Sequence, residues 1–167
     1  MIRTRRVADT VAFALILVAA CSTPDANQRT IVNAPDRGSF DDVAAFLDHR
    51  CGSLDCHGSR YRNLRMWGHD GQRLAIGDIP GGTPTTSAEV DAMYAALVDL
   101  EPEQMSAVVG DHGANPERLT FIRKARGTEH HVGGKIVVPG DARDTCVVSW
   151  LSGATDADAC HTALGLP

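Results

Sequence analysis

The sequence has no apolar segment long enough to form a permanent membrane span and no excess of positive charge. Its N-terminal apolar run, Val11 to Val18, is far shorter than the roughly 20 residues that a transmembrane helix needs. The 167-residue chain has a formal charge of −5, which argues against a nucleic-acid partner. With 43% hydrophobic and 22% charged residues, the composition is that of one ordinary globular domain.

Residues 1–20 have the regions of an export signal. A basic start is followed by the apolar run and by small residues. The ending Val18-Ala-Ala-Cys21 resembles the bacterial lipoprotein box, which implies that Cys21 is lipidated and anchors the exported chain to a membrane; an ordinary secretory signal is the alternative. Removing residues 1–20, which hold three arginines and one aspartate, takes the formal charge from −5 to −7. We therefore expect an acidic protein on the periplasmic side of a membrane or at the cell surface.

The sequence predicts a flexible tether over residues 21–39 and a helical domain over residues 40–167. Residues 22–39 are rich in Ser, Thr, Pro, Asp, Asn and Gly and show little periodicity. Helical spacing then predicts a helix from 40 to 50 capped by Ser39, with one apolar face. Further helices are predicted over 87–100, 102–109, 116–126, 142–152 and, capped by Thr155, up to 164.

The most informative stretch is residues 51–58, Cys-Gly-Ser-Leu-Asp-Cys-His-Gly. Two thiols can add to the two vinyl groups of a haem, and the histidine after the second cysteine is then placed to ligate the iron. The pattern predicts covalent haem c at Cys51 and Cys56, with His57 as the proximal ligand. Because four residues separate the cysteines instead of the usual two, we expect Gly52 and Ser53 to form a bulge.

This motif and three later features resemble the c-type cytochrome domains of exported bacterial proteins. The later features are His131-Val-Gly-Gly134, Pro139-Gly-Asp141 and Ser149-Trp-Leu151. The resemblance covers roughly residues 40–153 and implies a small all-α bundle around one haem, with crossing first and last helices. It also implies an electron carrier with redox proteins as partners. No grouping of nucleophile, acid and base in the sequence indicates an enzyme.

That family commonly uses a late methionine as the sixth iron ligand, and this sequence has none in a suitable loop. Met66 and Met105 precede the last helices, and Met105 lies on a predicted helix face. We expect His131, in a glycine-rich loop, to be the sixth ligand, with His130 or Met105 as alternatives. Two nitrogen ligands imply a lower reduction potential than a histidine–methionine pair. Candidate partners for the haem propionates are Arg60, Arg62 and Arg65.

The two remaining cysteines, Cys146 and Cys160, lie in consecutive predicted helices. In the oxidising space outside the cytoplasm we expect them to form a disulfide, worth about 3 kcal/mol by loop closure. Two other interpretations of the motif stay open. In one, Cys51 and Cys56 form a second disulfide in a haem-free structural or interaction lipoprotein with the same fold. In the other, they join His57 and a further histidine in a zinc site.

Overall fold

The computed structural model describes residues 32–165, which contain six α-helices and no strand within that range. The predicted signal peptide, the lipidation site Cys21 and residues 22–31 of the tether lie outside the described residues. Between residues 32 and 165, no helix combines the length and apolar character needed to cross a bilayer. An all-α structure is confirmed for this part of the chain. The helices are α1 (Asp41–Cys51), α2 (Ser87–Val98), α3 (Pro102–Gly110), α4 (Thr120–Arg126), α5 (Ala142–Leu151) and α6 (Ala157–Leu164).

Helix α1 packs against α5 and α6 at the centre of the fold. Its predicted apolar face is buried, since Val43, Ala44, Phe46 and Leu47 are each at most 5% exposed. The expected disulfide between Cys146 and Cys160 joins α5 to α6. Other fully buried side chains of the core are Phe40, Met93, Leu97, Met105, Val108, Leu119, Trp150 and Leu151.

Residues 33–39, which the sequence assigned to the tether, contact the helices. The Tyr94 hydroxyl donates a hydrogen bond to the carbonyl oxygen of Pro35 at 2.7 Å. The indole N–H of Trp150 donates to the carbonyl oxygen of Asp36 at 3.0 Å. Both donors are aromatic side chains with an apolar body in the core, so the segment before α1 lies against the bundle.

The helix predicted over 116–126 is interrupted. A 3-10 turn over Pro116–Arg118 is separated from α4 by extended Leu119, whose side chain is 1% exposed. The backbone N–H of Thr120 donates to the Glu101 carboxylate at 2.6 Å, and its hydroxyl donates to the same carboxylate at 2.8 Å. This carboxylate satisfies an N–H at the start of α4 that has no partner inside the helix.

Two predicted helix caps are wrong. The last helix is capped by Asp156, whose carboxylate accepts from the Ala159 N–H at 2.9 Å. The hydroxyl of Thr155 donates instead to the carbonyl oxygen of Ser39 at 2.9 Å. Ser39 does not cap α1, where Phe40 occupies the cap position without a side-chain bond. Thr86 caps α2 in a reciprocal pair of hydrogen bonds with the third helical residue.

The long irregular segment 52–86 is fixed by buried polar groups. The Asp48 carboxylate of α1 accepts from the backbone N–H of His69 at 2.9 Å and from the Thr85 hydroxyl at 2.5 Å. Arg73 donates two hydrogen bonds to Glu89 of α2, at 2.8 and 2.9 Å, with both side chains 1% exposed. These contacts bind the segment to α1 and α2.

Glycines let this segment cross the end of α1 at close range. A Cβ atom at Gly58 would overlap the carbonyl oxygen of Gly52, and one at Gly71 would overlap the same oxygen. The backbone N–H of Gln72 donates to the carbonyl oxygen of Gly58 at 2.8 Å. The residue after His57 therefore has to be glycine for steric reasons.

Candidate functional site

A cavity of about 470 Å³ lies beside the motif at residues 51–58. Its volume is in the range of pockets that hold cofactors and other small molecules. The walls come from α1, from the loop after His57, from α4 and from the segment around His131. The lining residues are Leu47, Cys51, His57, Tyr61, Arg62, Asn63, Leu64, Met66, Leu100, Glu101, Thr120, Phe121, Lys124, Ala125, His131 and Ile136.

His57 is held in one orientation by the loop that follows it. Its Nδ1–H donates to the carbonyl oxygen of Leu64 at 3.0 Å, and the backbone N–H of Met66 donates to the carbonyl oxygen of His57 at 2.8 Å. Because a neutral imidazole carries one proton, this bond leaves Nε2 with a free lone pair. Burial lowers the pKa of His57 by more than the hydrogen bond to Leu64 raises it, and the neighbouring His131 adds to the lowering. The ring is therefore neutral at neutral pH, as a metal ligand must be.

His131 faces His57 across the cavity. The two ring centres are 6.0 Å apart and the ring planes are inclined by 24°. The Nδ1–H of His131 donates to the carbonyl oxygen of Gly134 at 2.9 Å, so its Nε2 also keeps a free lone pair. Two imidazoles that ligate one metal ion from opposite sides, with metal–nitrogen bonds of about 2 Å, have ring centres about 6 Å apart. The two side chains would therefore be close enough to hold one metal-centred group if such a group were bound here.

Cys51 and Cys56 are free thiols in this structure. Cys51 closes α1 and lines the cavity. Burial, followed by the neighbouring Cys56, raises the pKa of the Cys51 thiol to about 11. The bulge expected between the cysteines is a turn in which the carbonyl oxygen of Ser53 accepts from the N–H groups of Cys56, at 2.9 Å, and Gly58, at 3.0 Å.

The chain matches no protein-family model, no curated protein and no solved structure. The two facing imidazoles and the adjacent thiol are therefore the basis for assigning a function.

Between residues 32 and 165, no group of three or more His, Cys, Asp or Glu side chains is arranged to hold a metal ion. The zinc interpretation, which needs at least three protein ligands, has no support in that part of the chain.

The alternative sixth ligands lie away from the cavity lining. His130 is exposed, and its carbonyl oxygen accepts from Lys124 at 2.8 Å. Met105 is fully buried in the core on α3. Met66 does line the cavity, beside His57. Its backbone N–H donates to the carbonyl oxygen of His57.

Of the three arginines considered for the propionates, only Arg62 lines the cavity. It donates to the backbone carbonyl oxygens of Cys56, at 3.2 Å, and Asp55, at 3.0 Å. Arg60 donates to the Tyr61 hydroxyl at 2.8 Å. A second cation at the cavity, Lys124 of α4, was not predicted from the sequence, where it is one of several basic residues on a surface helix.

Two buried residues near the site were also not predicted. Asp48 and Arg73 fix the irregular segment that surrounds the motif, and their side chains are among the few buried charged groups of the described chain. Their partners are distant in sequence, so no local pattern reveals them. For Asp48, the one available signal of burial was its place as an acidic residue on the apolar side of α1.

Proposed function

We propose that the chain is an extracytoplasmic electron-transfer lipoprotein that carries one covalently attached haem between His57 and His131. The observation that carries this proposal is the pair of imidazoles 6.0 Å apart, each with a free Nε2, in a cavity bordered by Cys51. When bound, haem supplies a reversible one-electron couple at its iron. Cys51 and Cys56 would hold the group through thioether bonds.

The residues around the two histidines suit a carrier better than a catalyst. Backbone carbonyls fix the Nδ1 atoms of His57 and His131, which keeps the rings oriented and makes Nε2 more basic. If both rings held the iron of a bound haem, the chain itself would supply the protein ligands, which suits electron transfer better than substrate binding. Nitrogen on both sides also favours a lower potential than a histidine–methionine pair.

The helical arrangement supports a cytochrome c-like bundle as part of this proposal. Helix α1 delivers Cys51 directly to the cavity and packs against α5 and α6 at the other end of the chain. The disulfide between α5 and α6 is consistent with export to an oxidising compartment. Cys21 would attach the domain to a membrane, where it would exchange electrons with redox proteins.

The haem-free alternative, a structural or interaction lipoprotein, needs a bond between Cys51 and Cys56 that the structure does not contain. The cavity and the facing histidines also have no use in that alternative. We therefore favour the haem protein.

Expression with and without the bacterial cytochrome maturation apparatus tests the proposal. We expect a haem-stained band on a denaturing gel, together with a c-type spectrum of the reduced protein, only when that apparatus is present. The matched control is Cys51→Ala/Cys56→Ala, which keeps His57 and the cavity and should lose the covalent band. A wild-type protein that shows no covalent haem, but a Cys51–Cys56 disulfide by mass spectrometry, supports the alternative instead.

A further inference from the structure

The two facing histidines are held in different ways. His57 is bonded to Leu64 and Met66, two buried residues of the long irregular segment. His131 belongs to a surface turn in which Val132 is 85% exposed. The only side-chain bond of His131 is to Gly134 in the same turn, and the N–H of Gly134 returns a bond to the carbonyl oxygen of His131 at 2.9 Å. The turn orients its own ring, so something else must hold the turn over the cavity.

Contacts with α4 provide that attachment. The Lys124 ammonium donates to the carbonyl oxygen of His130 at 2.8 Å, directly before His131. The same ammonium lies 3.1 Å from the Glu129 carboxylate, which also accepts from Arg123 at 2.8 Å. We call Arg123, Lys124 and Glu129 the clamp.

The clamp is connected to the cavity wall. Lys124 lines the cavity with Phe121 and Ala125 of the same helix. Arg123 is itself fixed, since it donates to the carbonyl oxygens of Glu117 and Arg118 at 2.7 and 2.8 Å. The position of α4 therefore determines where the peptide unit before His131 lies.

We propose that Lys124 and Glu129 are positioning residues that hold His131 opposite His57 and so determine whether the second histidine occupies its ligand position. This inference rests on the proposed function. Neither residue has to touch the iron, because Lys124 acts through the carbonyl oxygen of His130 and Glu129 acts through Lys124. Loss of the clamp should release His131 while His57 and both cysteines stay in place.

The first test compares Lys124→Gln, Lys124→Arg and wild type as purified haem proteins. Lys124→Gln removes an exposed ion pair and a charge-assisted hydrogen bond. Together, these losses should shift the equilibrium between bound and released His131 about five- to tenfold towards release. In Lys124→Gln the absorption spectrum of the oxidised protein should gain a high-spin component, and added imidazole should bind correspondingly more tightly. Lys124→Arg keeps a cationic donor and should restore most of the wild-type spectrum.

The control variant is Asp111→Asn, which breaks an exposed ion pair with Arg118 at 2.8 Å, outside the clamp. It should leave the spectrum and imidazole affinity unchanged. The proposal is overturned if Lys124→Gln matches wild type in both readouts, or if Asp111→Asn changes them as much.

A second test does not need haem. Hydrogen exchange of the backbone amides of residues 128–134 is compared in wild type and Glu129→Gln, with residues 58–66 as an internal reference. We expect faster exchange in 128–134 only, because the clamp attaches that turn alone. Faster exchange of 128–134 in Glu129→Gln supports the clamp whether or not the protein acquires haem, so a failure of haem attachment would contradict the proposed function alone. Unchanged exchange contradicts the clamp itself.

Discussion

Replacing Glu89 with glutamine should destabilise the protein by several kilocalories per mole. The Glu89 carboxylate accepts two hydrogen bonds from the Arg73 guanidinium and two from the backbone N–H groups of Leu74, at 3.0 Å, and Thr86, at 2.8 Å. Both charged side chains are 1% exposed. Glutamine would remove the hydrogen-bonded counter-charge of the buried guanidinium and leave it only the Asp78 carboxylate at 3.7 Å; breaking comparable buried pairs costs about 3–5 kcal/mol.

The lowered pKa of Glu89 indicates a similar contribution to the unfolding free energy. The bonds from Arg73 lower it from 4.5 to about 2, which corresponds to about 3 kcal/mol of stability at neutral pH. Because the folded pKa is the lower one, this contribution is complete above pH 4.5 and is lost as the pH falls towards 2. The difference between wild type and Glu89→Gln should therefore shrink over the same pH interval.

Urea unfolding followed by far-ultraviolet circular dichroism, with the disulfide intact, measures both effects. The control is Asp91→Asn, on the same helix, which breaks a largely exposed ion pair with Arg37 and should cost less than about 1 kcal/mol. Adding Arg73→Met to Glu89→Gln should recover part of the loss, since the buried charge is removed. A loss below about 1 kcal/mol in Glu89→Gln at pH 7 would refute the reasoning.

Three further variants test the packing around the site and the helix ends. Gly58→Ala should lower the unfolding free energy by about 1–3 kcal/mol or more, because the new methyl group overlaps the carbonyl oxygen of Gly52; thermal unfolding measures the loss. Cys146→Ala/Cys160→Ala should cost about 3 kcal/mol in urea, and reduction of the wild-type disulfide should give a similar loss. Thr86→Ala removes the hydroxyl that caps α2 and should cost about 1 kcal/mol by the same measurement.

Local patterns in the sequence predicted the helical elements well. The apolar spacing that predicted α1 and the bounds of α2, α3 and α5 depends on residues within one or two helical turns. The disulfide was also predictable, because the oxidising context and two consecutive helices limit the pairing of Cys146 and Cys160.

The features that the sequence did not reveal depend on contacts between distant segments. The break at Leu119 needs the carboxylate of Glu101, the residue before α3, and the attachment of the irregular segment needs Asp48 from α1. Lys124 was not distinguished from other surface lysines and arginines until α4 was placed beside the turn of His131. Charged residues give no periodic signal of burial, so their partners emerge only from the fold.

At the site, the sequence named the two histidines that the structure brings face to face. His57 follows from its place after Cys56, and His131 follows from the absence of a suitable late methionine and from the glycines beside it. Their separation and the backbone carbonyls that orient them are products of the tertiary structure. The electron-transfer role remains a proposal based on this geometry.

The most direct measurement is the electron paramagnetic resonance spectrum of the oxidised, haem-loaded protein, compared with that of His131→Ala. If His57 and His131 both ligate the iron, wild type gives the low-spin signal of two nitrogen ligands. His131→Ala should then retain covalent haem but give a high-spin signal. Identical spectra for the two proteins, or a wild type without covalent haem after maturation, would contradict a haem held between these histidines.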